Sequence, residues 1–128
     1  LCTLLERSRF CVVVGLHANH PHVLSSAVAD ACCALKRVGC TLLNQSVLLA
    51  GVNHDARVLI ALSERLWELG VLPYYVHLLD KVAGAAHFDV SREAAVACLD
   101  EVRAALPGYL VPRLVCEHHG GKNKHHVL

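Results

Sequence analysis

Apolar runs rich in β-branched residues alternate with amphipathic stretches along this chain. The runs at 10–16, 41–49, 72–78 and 109–115 predict four strands, since short, continuously apolar runs rich in β-branched residues are typical of buried strands. Continuous apolar character along a strand is typical of a parallel sheet with both faces covered. Between the runs, the spacing of the apolar residues changes to that of an amphipathic helix.

Three helices are predicted between the strands, and each has recognisable signals at its ends. The predicted N-caps are Ser25 or Ser26, Asp55 and Ser91, and the predicted stop signals are Gly39, Gly70 and Pro107 with Gly108. The predicted order is therefore β-α-β-α-β-α-β, with one βα unit about every 30 residues. Such an order indicates an α/β fold with parallel strands and alternating helices.

Four strands are too few to close a barrel, which takes about eight strands in the standard case. An open sheet of this size also has two unprotected edges. The chain contains no methionine and begins with Leu1. We therefore expect residues 1–128 to be a fragment of one domain, the C-terminal half of a larger, partial (βα) barrel.

Composition excludes several function classes. The chain is 55% hydrophobic and 18% charged, whereas soluble domains average about 45–50% and about 25%. The net charge of +1 gives no electrostatic reason to expect nucleic acid or an acidic membrane as a partner. No apolar run reaches the roughly 18 residues of a membrane span. Seven cysteines without a C-x-x-C pair favour buried, reduced thiols and a cytoplasmic location.

Polar residues follow every predicted strand, at the edge where parallel α/β folds bind their ligands. One polar group, residues 44–46 (Asn-Gln-Ser), instead interrupts an apolar run. A buried amide needs hydrogen-bond partners, which a bound ligand or the protein itself can supply. Both alternatives are open at this point.

The tail 117–124 (EHHGGKNK) places Lys124 behind two glycines and the carboxylate of Glu117. A lysine on such a loop can form a Schiff base with an aldehyde cofactor. A terminus rich in lysine, glycine and histidine is also typical of a solvated tail. The tail alone does not decide between these interpretations.

Three segments carry a resemblance to a known family: 41–54 (TLLNQSVLLAGVNH), 73–88 (PYYVHLLDKVAGAAHF) and 108–115 (GYLVPRLV). They resemble the C-terminal half of the lysine 2,3-aminomutase family of radical S-adenosylmethionine (SAM) enzymes. Their sequences are most similar to the branch that makes (R)-β-lysine from (S)-α-lysine for the β-lysylation of elongation factor P. The resemblance extends from about Arg9 to Lys124, nearly the whole chain.

The resemblance implies roles for individual residues. Lys124 matches the lysine that binds pyridoxal phosphate (PLP), and Asp80 and Glu117 match two acidic residues that bind the ε-ammonium of the substrate lysine. His17 and Gln45 match residues that contact SAM, with Asn19 as an assisting residue. The family also uses a 4Fe-4S cluster bound by a C-x-x-x-C-x-x-C motif, and no three cysteines of this chain have that spacing. We therefore expect the chain alone to be inactive as an isomerase.

Two alternatives come from other classes of protein. His20 and His22 follow a predicted strand and would share a face of extended backbone, as in the zinc site of a barrel hydrolase. Alternatively, the chain is a non-catalytic remnant that associates with itself through its open sheet edge.

Overall fold

A computed structural model describes residues 1–79, 89–116 and 125–127. The elements of the chain are, in order, α1 (Cys2–Glu6), β1 (Val13–Leu16), α2 (Ser26–Arg37), β2 (Thr41–Leu48), α3 (Ala56–Glu68), β3 (Val71–Leu78), α4 (Arg92–Ala105), β4 (Arg113–Cys116) and β5 (His125–His126). Short 3-10 helices occupy Pro21–Val23 and Gly108–Leu110. Within the described ranges, no helix combines the length and the apolar character needed to cross a membrane.

The strands form one sheet in the order β1-β2-β3-β4-β5. The first four are parallel, and β5 runs antiparallel to β4. The predicted α/β fold with parallel strands and alternating helices is therefore confirmed, with its strands in sequential order. The sequence did not predict α1 or β5.

Helix ends follow the predicted capping chemistry. Ser25 Oγ accepts from Val28 N, Asp55 Oδ1 accepts from Arg57 N, and Ser91 Oγ accepts from Ala94 N. Gly39 and Gly70 have φ values of 92° and 75°, in the left-handed region that terminates helices most easily at glycine. Strand β4 begins later than predicted because Gly108–Leu110 forms a helical turn.

The helices cover only one face of the sheet, whereas the sequence predicted two covered faces. Leu42 and Leu48 of β2 pack into the hydrophobic clusters formed with α2, α3 and α4. The alternate residues of β2 are only partly buried. Same-handed crossovers between strands in sequential order place every helix on the same side, as in a barrel wall. The other side, here called the open face, includes Leu43, Gln45, Val47, Leu72, Tyr75, His77 and Arg113.

A β-bulge interrupts the pairing of β2 with β3. Asn44 is paired with Pro73, but Gln45 is paired with Tyr75, so Tyr74 is an extra residue. Pro73 has no N–H to donate, and proline in an inner strand is tolerated mainly at such irregularities. The bulge therefore lies where the sequence prevents a regular ladder.

Candidate functional site

The two residues expected to contact SAM lie on neighbouring strands at the same level of the sheet. Leu16 is paired with Asn44, so His17 and Gln45 are the next residues along β1 and β2. His17 is exposed and Gln45 is half-buried on the open face. A cleft of about 280 Å³ adjoins His17, lined by Leu16, Ala18, Val23, Leu24 and Val28. The structure thus places an imidazole and an amide just beyond one strand pair, and a largely apolar cleft adjoins the imidazole.

Gln45 also belongs to a polar band that crosses the open face. Its Oε1 lies 3.0 Å from His77 Nε2, and the His77 ring meets the ring of Tyr75 edge-on at 5.8 Å between centroids. Tyr75 is in turn paired with Arg113 of β4. Tyr75 and Arg113 were not predicted as site residues from the sequence. The alternation of side chains between the two faces of β3 and β4 could have indicated which residues lie on the open face. In β3, however, the bulge shifts that alternation by one residue.

The aromatic part of this band is tightly packed. The rings of Tyr74 and Tyr75 have centroids 4.2 Å apart. The side-chain hydrogen bond with Tyr74 raises the pKa of Tyr75, burial raises it further, and the charge of Arg113 lowers it. The phenol is therefore kept protonated near neutral pH, where it remains able to donate a hydrogen bond.

The structural alternative is correct for Asn44. Its Oδ1 accepts from Ala18 N at 2.9 Å, and its Nδ2 donates to Ala18 O at 3.0 Å. The side chain lies on the helix side of β2 and is 2% exposed. Asn19 likewise uses its Oδ1 to accept a hydrogen bond from Val47 N at 2.9 Å. The protein's own backbone thus satisfies the amide that interrupts the apolar run.

Three of the predicted site residues, Asp80, Glu117 and Lys124, lie outside the described residues. The register of the strands that flank them is described. Leu78 is paired with Cys116, and Cys116 is paired with His125. These three partners are side by side at the carboxyl edge of the sheet.

The histidine pair of the zinc alternative does not have the expected geometry. His20 is extended, but His22 belongs to a 3-10 helix, and His20 Nδ1 accepts a hydrogen bond from His22 N. That nitrogen is therefore engaged as a helix cap. The described part of the chain contains no group of three histidine, cysteine or acidic residues able to bind a metal. The expectation of extended backbone at both histidines was wrong because Pro21 begins the helical turn, although the two imidazole rings lie close together, with centroids 4.4 Å apart.

Curated relatives cover nearly the whole chain. It is 48% identical over 123 residues to an L-lysine 2,3-aminomutase of Haemophilus influenzae and 46% identical over 124 residues to one of Escherichia coli. These alignments cover 96% and 97% of the chain but 36% of each relative. A glutamate 2,3-aminomutase of Clostridioides difficile is 30% identical over 127 residues, covering 99% of the chain and 30% of that relative. No family model matches the chain.

A solved structure shares the fold. A radical SAM methyltransferase from Sphaerobacter thermophilus superposes with a TM-score of 0.55 at 21% identity, covering 93% of this chain and 39% of that one. At this identity the likeness concerns the fold alone. It agrees with the sequential parallel strands and the single helical layer.

Proposed function

Because this chain belongs to the lysine 2,3-aminomutase family, we propose that it is the lysine-binding and cofactor-binding part of a radical SAM, PLP-dependent lysine 2,3-aminomutase. The enzyme would convert (S)-α-lysine to (R)-β-lysine. We assign the product to the modification of elongation factor P rather than to lysine catabolism, because the sequences of segments 41–54 and 73–88 resemble that branch of the family. The activity is proposed for the full-length enzyme.

The register at the carboxyl edge is the observation that carries this proposal. Asp80 follows Leu78 by two residues, Glu117 directly follows Cys116, and Lys124 directly precedes His125. Because Cys116 is paired with Leu78 on one side and with His125 on the other, the chain leaves or enters the same edge at all three points. This arrangement supports a shared site for the two carboxylates and the amine.

The charges of the proposed site favour a lysine substrate. Two carboxylates around one ammonium form charge-assisted hydrogen bonds, which are stronger than neutral ones. A substrate with a side-chain carboxylate, such as glutamate, would instead face two like charges. We therefore assign lysine, although one relative is a glutamate 2,3-aminomutase.

The cofactors divide the remaining chemistry. SAM with a 4Fe-4S cluster would supply the radical, and PLP would supply a π-system for the rearrangement. The donor set fits SAM, because His17 offers an imidazole beside an apolar cleft and Gln45, one residue beyond the last β1–β2 pair, offers an amide. Lys124 would bind PLP. No C-x-x-x-C-x-x-C motif occurs in these residues, so the cluster ligands are not among them.

Absorbance spectroscopy with PLP tests the proposal directly. We expect the purified chain to develop the visible band of lysine-bound PLP and Lys124→Ala to lose it. Lys122→Ala is the matched control, since it removes the same group two residues away in the same segment. Equal loss in both variants, or a band that survives Lys124→Ala, would remove the assignment of Lys124.

The substrate clamp has its own test in the full-length enzyme. Asp80→Asn and Glu117→Gln keep the shape of each side chain and remove its charge. Both are expected to raise the KM for lysine more than they lower kcat, because the ε-ammonium is bound in the ground and transition states alike. Lysine isomerisation by the 128-residue chain alone after iron-sulfur reconstitution would contradict its proposed inactivity.

A further inference from the structure

Three asparagine side chains, Asn19, Asn44 and Asn53, join the end of β1 to β2; we call this group the amide clamp. The backbone ladder between the two strands ends at the pair Leu16 and Asn44. One residue beyond His17, the amide of Asn44 bonds both the N–H and the C=O of Ala18. A side chain thus takes the place of the next peptide in the ladder.

Asn53 makes the second half of the clamp. Its Nδ2 donates to Asn19 O and to Val47 O, each at 2.8 Å. Its Oδ1 accepts from Leu49 N at 2.8 Å. Asn19 Oδ1 completes the link by accepting from Val47 N. The turn that follows β2 is therefore tied to the residues that follow β1.

Burial makes these bonds difficult to replace. Asn53 is 0% exposed, and Ala18 is buried as well. Water cannot readily satisfy backbone groups at such positions if an asparagine is lost, and an unsatisfied buried group is destabilising. The clamp consequently fixes one conformation of this segment.

His17 lies between the ladder and the clamp. Its predecessor Leu16 is fixed by β2 pairing, and its successor Ala18 is fixed by Asn44. None of the clamp's bonds involves the imidazole, which is exposed on the open face. The clamp therefore fixes the backbone from which the imidazole projects, and its hydrogen bonds use no atom of the ring.

We propose that Asn44 and Asn53 are positioning residues, which hold His17 level with Gln45 so that both side chains bind one SAM molecule. The inference rests on the proposed function, since it takes SAM as the ligand of His17 and Gln45. It adds two residues that contact no ligand themselves. Their effect on binding is transmitted through the backbone at 18 and 19.

Calorimetric titration of the full-length, cluster-loaded enzyme with SAM tests the proposal. Asn53→Asp keeps the acceptor for Leu49 N and removes the two donated bonds to Asn19 O and Val47 O. We expect SAM to bind roughly tenfold more weakly. This is about the contribution of the one hydrogen bond to SAM that a displaced His17 would no longer make. The variant should keep the circular dichroism spectrum and still melt cooperatively, at a lower temperature, because Asn19 O and Val47 O lose their donor.

A double-mutant cycle separates positioning from general destabilisation. If Asn53 acts through His17, Asn53→Asp should weaken SAM binding no further in a His17→Ala background. Ser46→Ala is the matched control, because Ser46 is also buried on the helix side of β2 and lies outside the clamp. It is expected to bind SAM like the wild type.

Each remaining outcome has a defined meaning. Wild-type affinity in Asn53→Asp, or effects of Asn53→Asp and His17→Ala that multiply, would overturn the positioning role while leaving the proposed function in place. Equal weakening by Ser46→Ala would also overturn it. Failure of the wild-type full-length, cluster-loaded enzyme to bind SAM would instead overturn the proposed ligand, and the positioning role with it.

Discussion

Replacing Leu42 and Leu43 separately by alanine measures how unequal the two faces of the sheet are. The two leucines are consecutive in β2 but point to opposite sides. Leu42 is 1% exposed among residues of α2 and α3, whereas Leu43 is half-buried on the open face. The pair therefore holds strand, residue type and substitution constant while changing only the face.

The expected magnitudes follow from burial. Leu42→Ala removes three buried carbons at about 0.8 kcal/mol each, and the cavity left behind adds about 1 kcal/mol. The free energy of unfolding should therefore fall by about 3–4 kcal/mol. Leu43→Ala loses only part of the transfer term and leaves no closed cavity, so a loss of about 1 kcal/mol is expected.

Urea unfolding of the two variants, followed by circular dichroism, gives both values. The dependence on denaturant should be unchanged, because the surface exposed on unfolding is nearly the same. A loss for Leu43→Ala equal to or greater than that for Leu42→Ala would refute the reasoning, since it would require the open face to be packed as closely as the helix face.

Two further predictions concern the helical layer. Burial, followed by the charges of Glu101 and Asp55, raises the pKa of the Cys98 thiol above its ordinary 9.0. Stability due to this thiol should therefore be complete below pH 9.0 and decline as the pH rises through the folded pKa, and alkaline unfolding curves of Cys98→Ala should decline less. Ser91→Ala removes the side-chain bond to Ala94 N and should lower the unfolding free energy by about 1 kcal/mol, as measured by urea titration.

Much of the fold was predictable because the relevant signals are local. The capping of α3 by Asp55 and its end at Gly70 are determined by hydrogen bonding and backbone sterics within a few residues. The alternation of elements followed from periodicity alone. The one-sided placement of the helices depends on strand order, which no short segment encodes.

The site was predictable only in part. A run of polar residues at 44–46 revealed buried hydrogen bonding, but it did not say whether ligand or backbone would satisfy Asn44. Its partner, Ala18, is 26 residues away and uses only main-chain atoms. The residue type at position 18 therefore does not indicate that this hydrogen bond is made. Tyr75 was similarly hidden, because the direction of its side chain depends on the pairing between strands.

The bulge at Tyr74 changes the parity of β3. Val71 and Pro73 are buried, as are Val76 and Leu78, although odd and even residues of a regular strand face opposite ways. A regular strand of the same sequence, without the bulge, would turn His77 into the aliphatic layer and Leu78 out of it. A single inserted peptide unit therefore lets one strand contribute to the hydrophobic interior at both its ends and still present an aromatic ring and an imidazole on the opposite side.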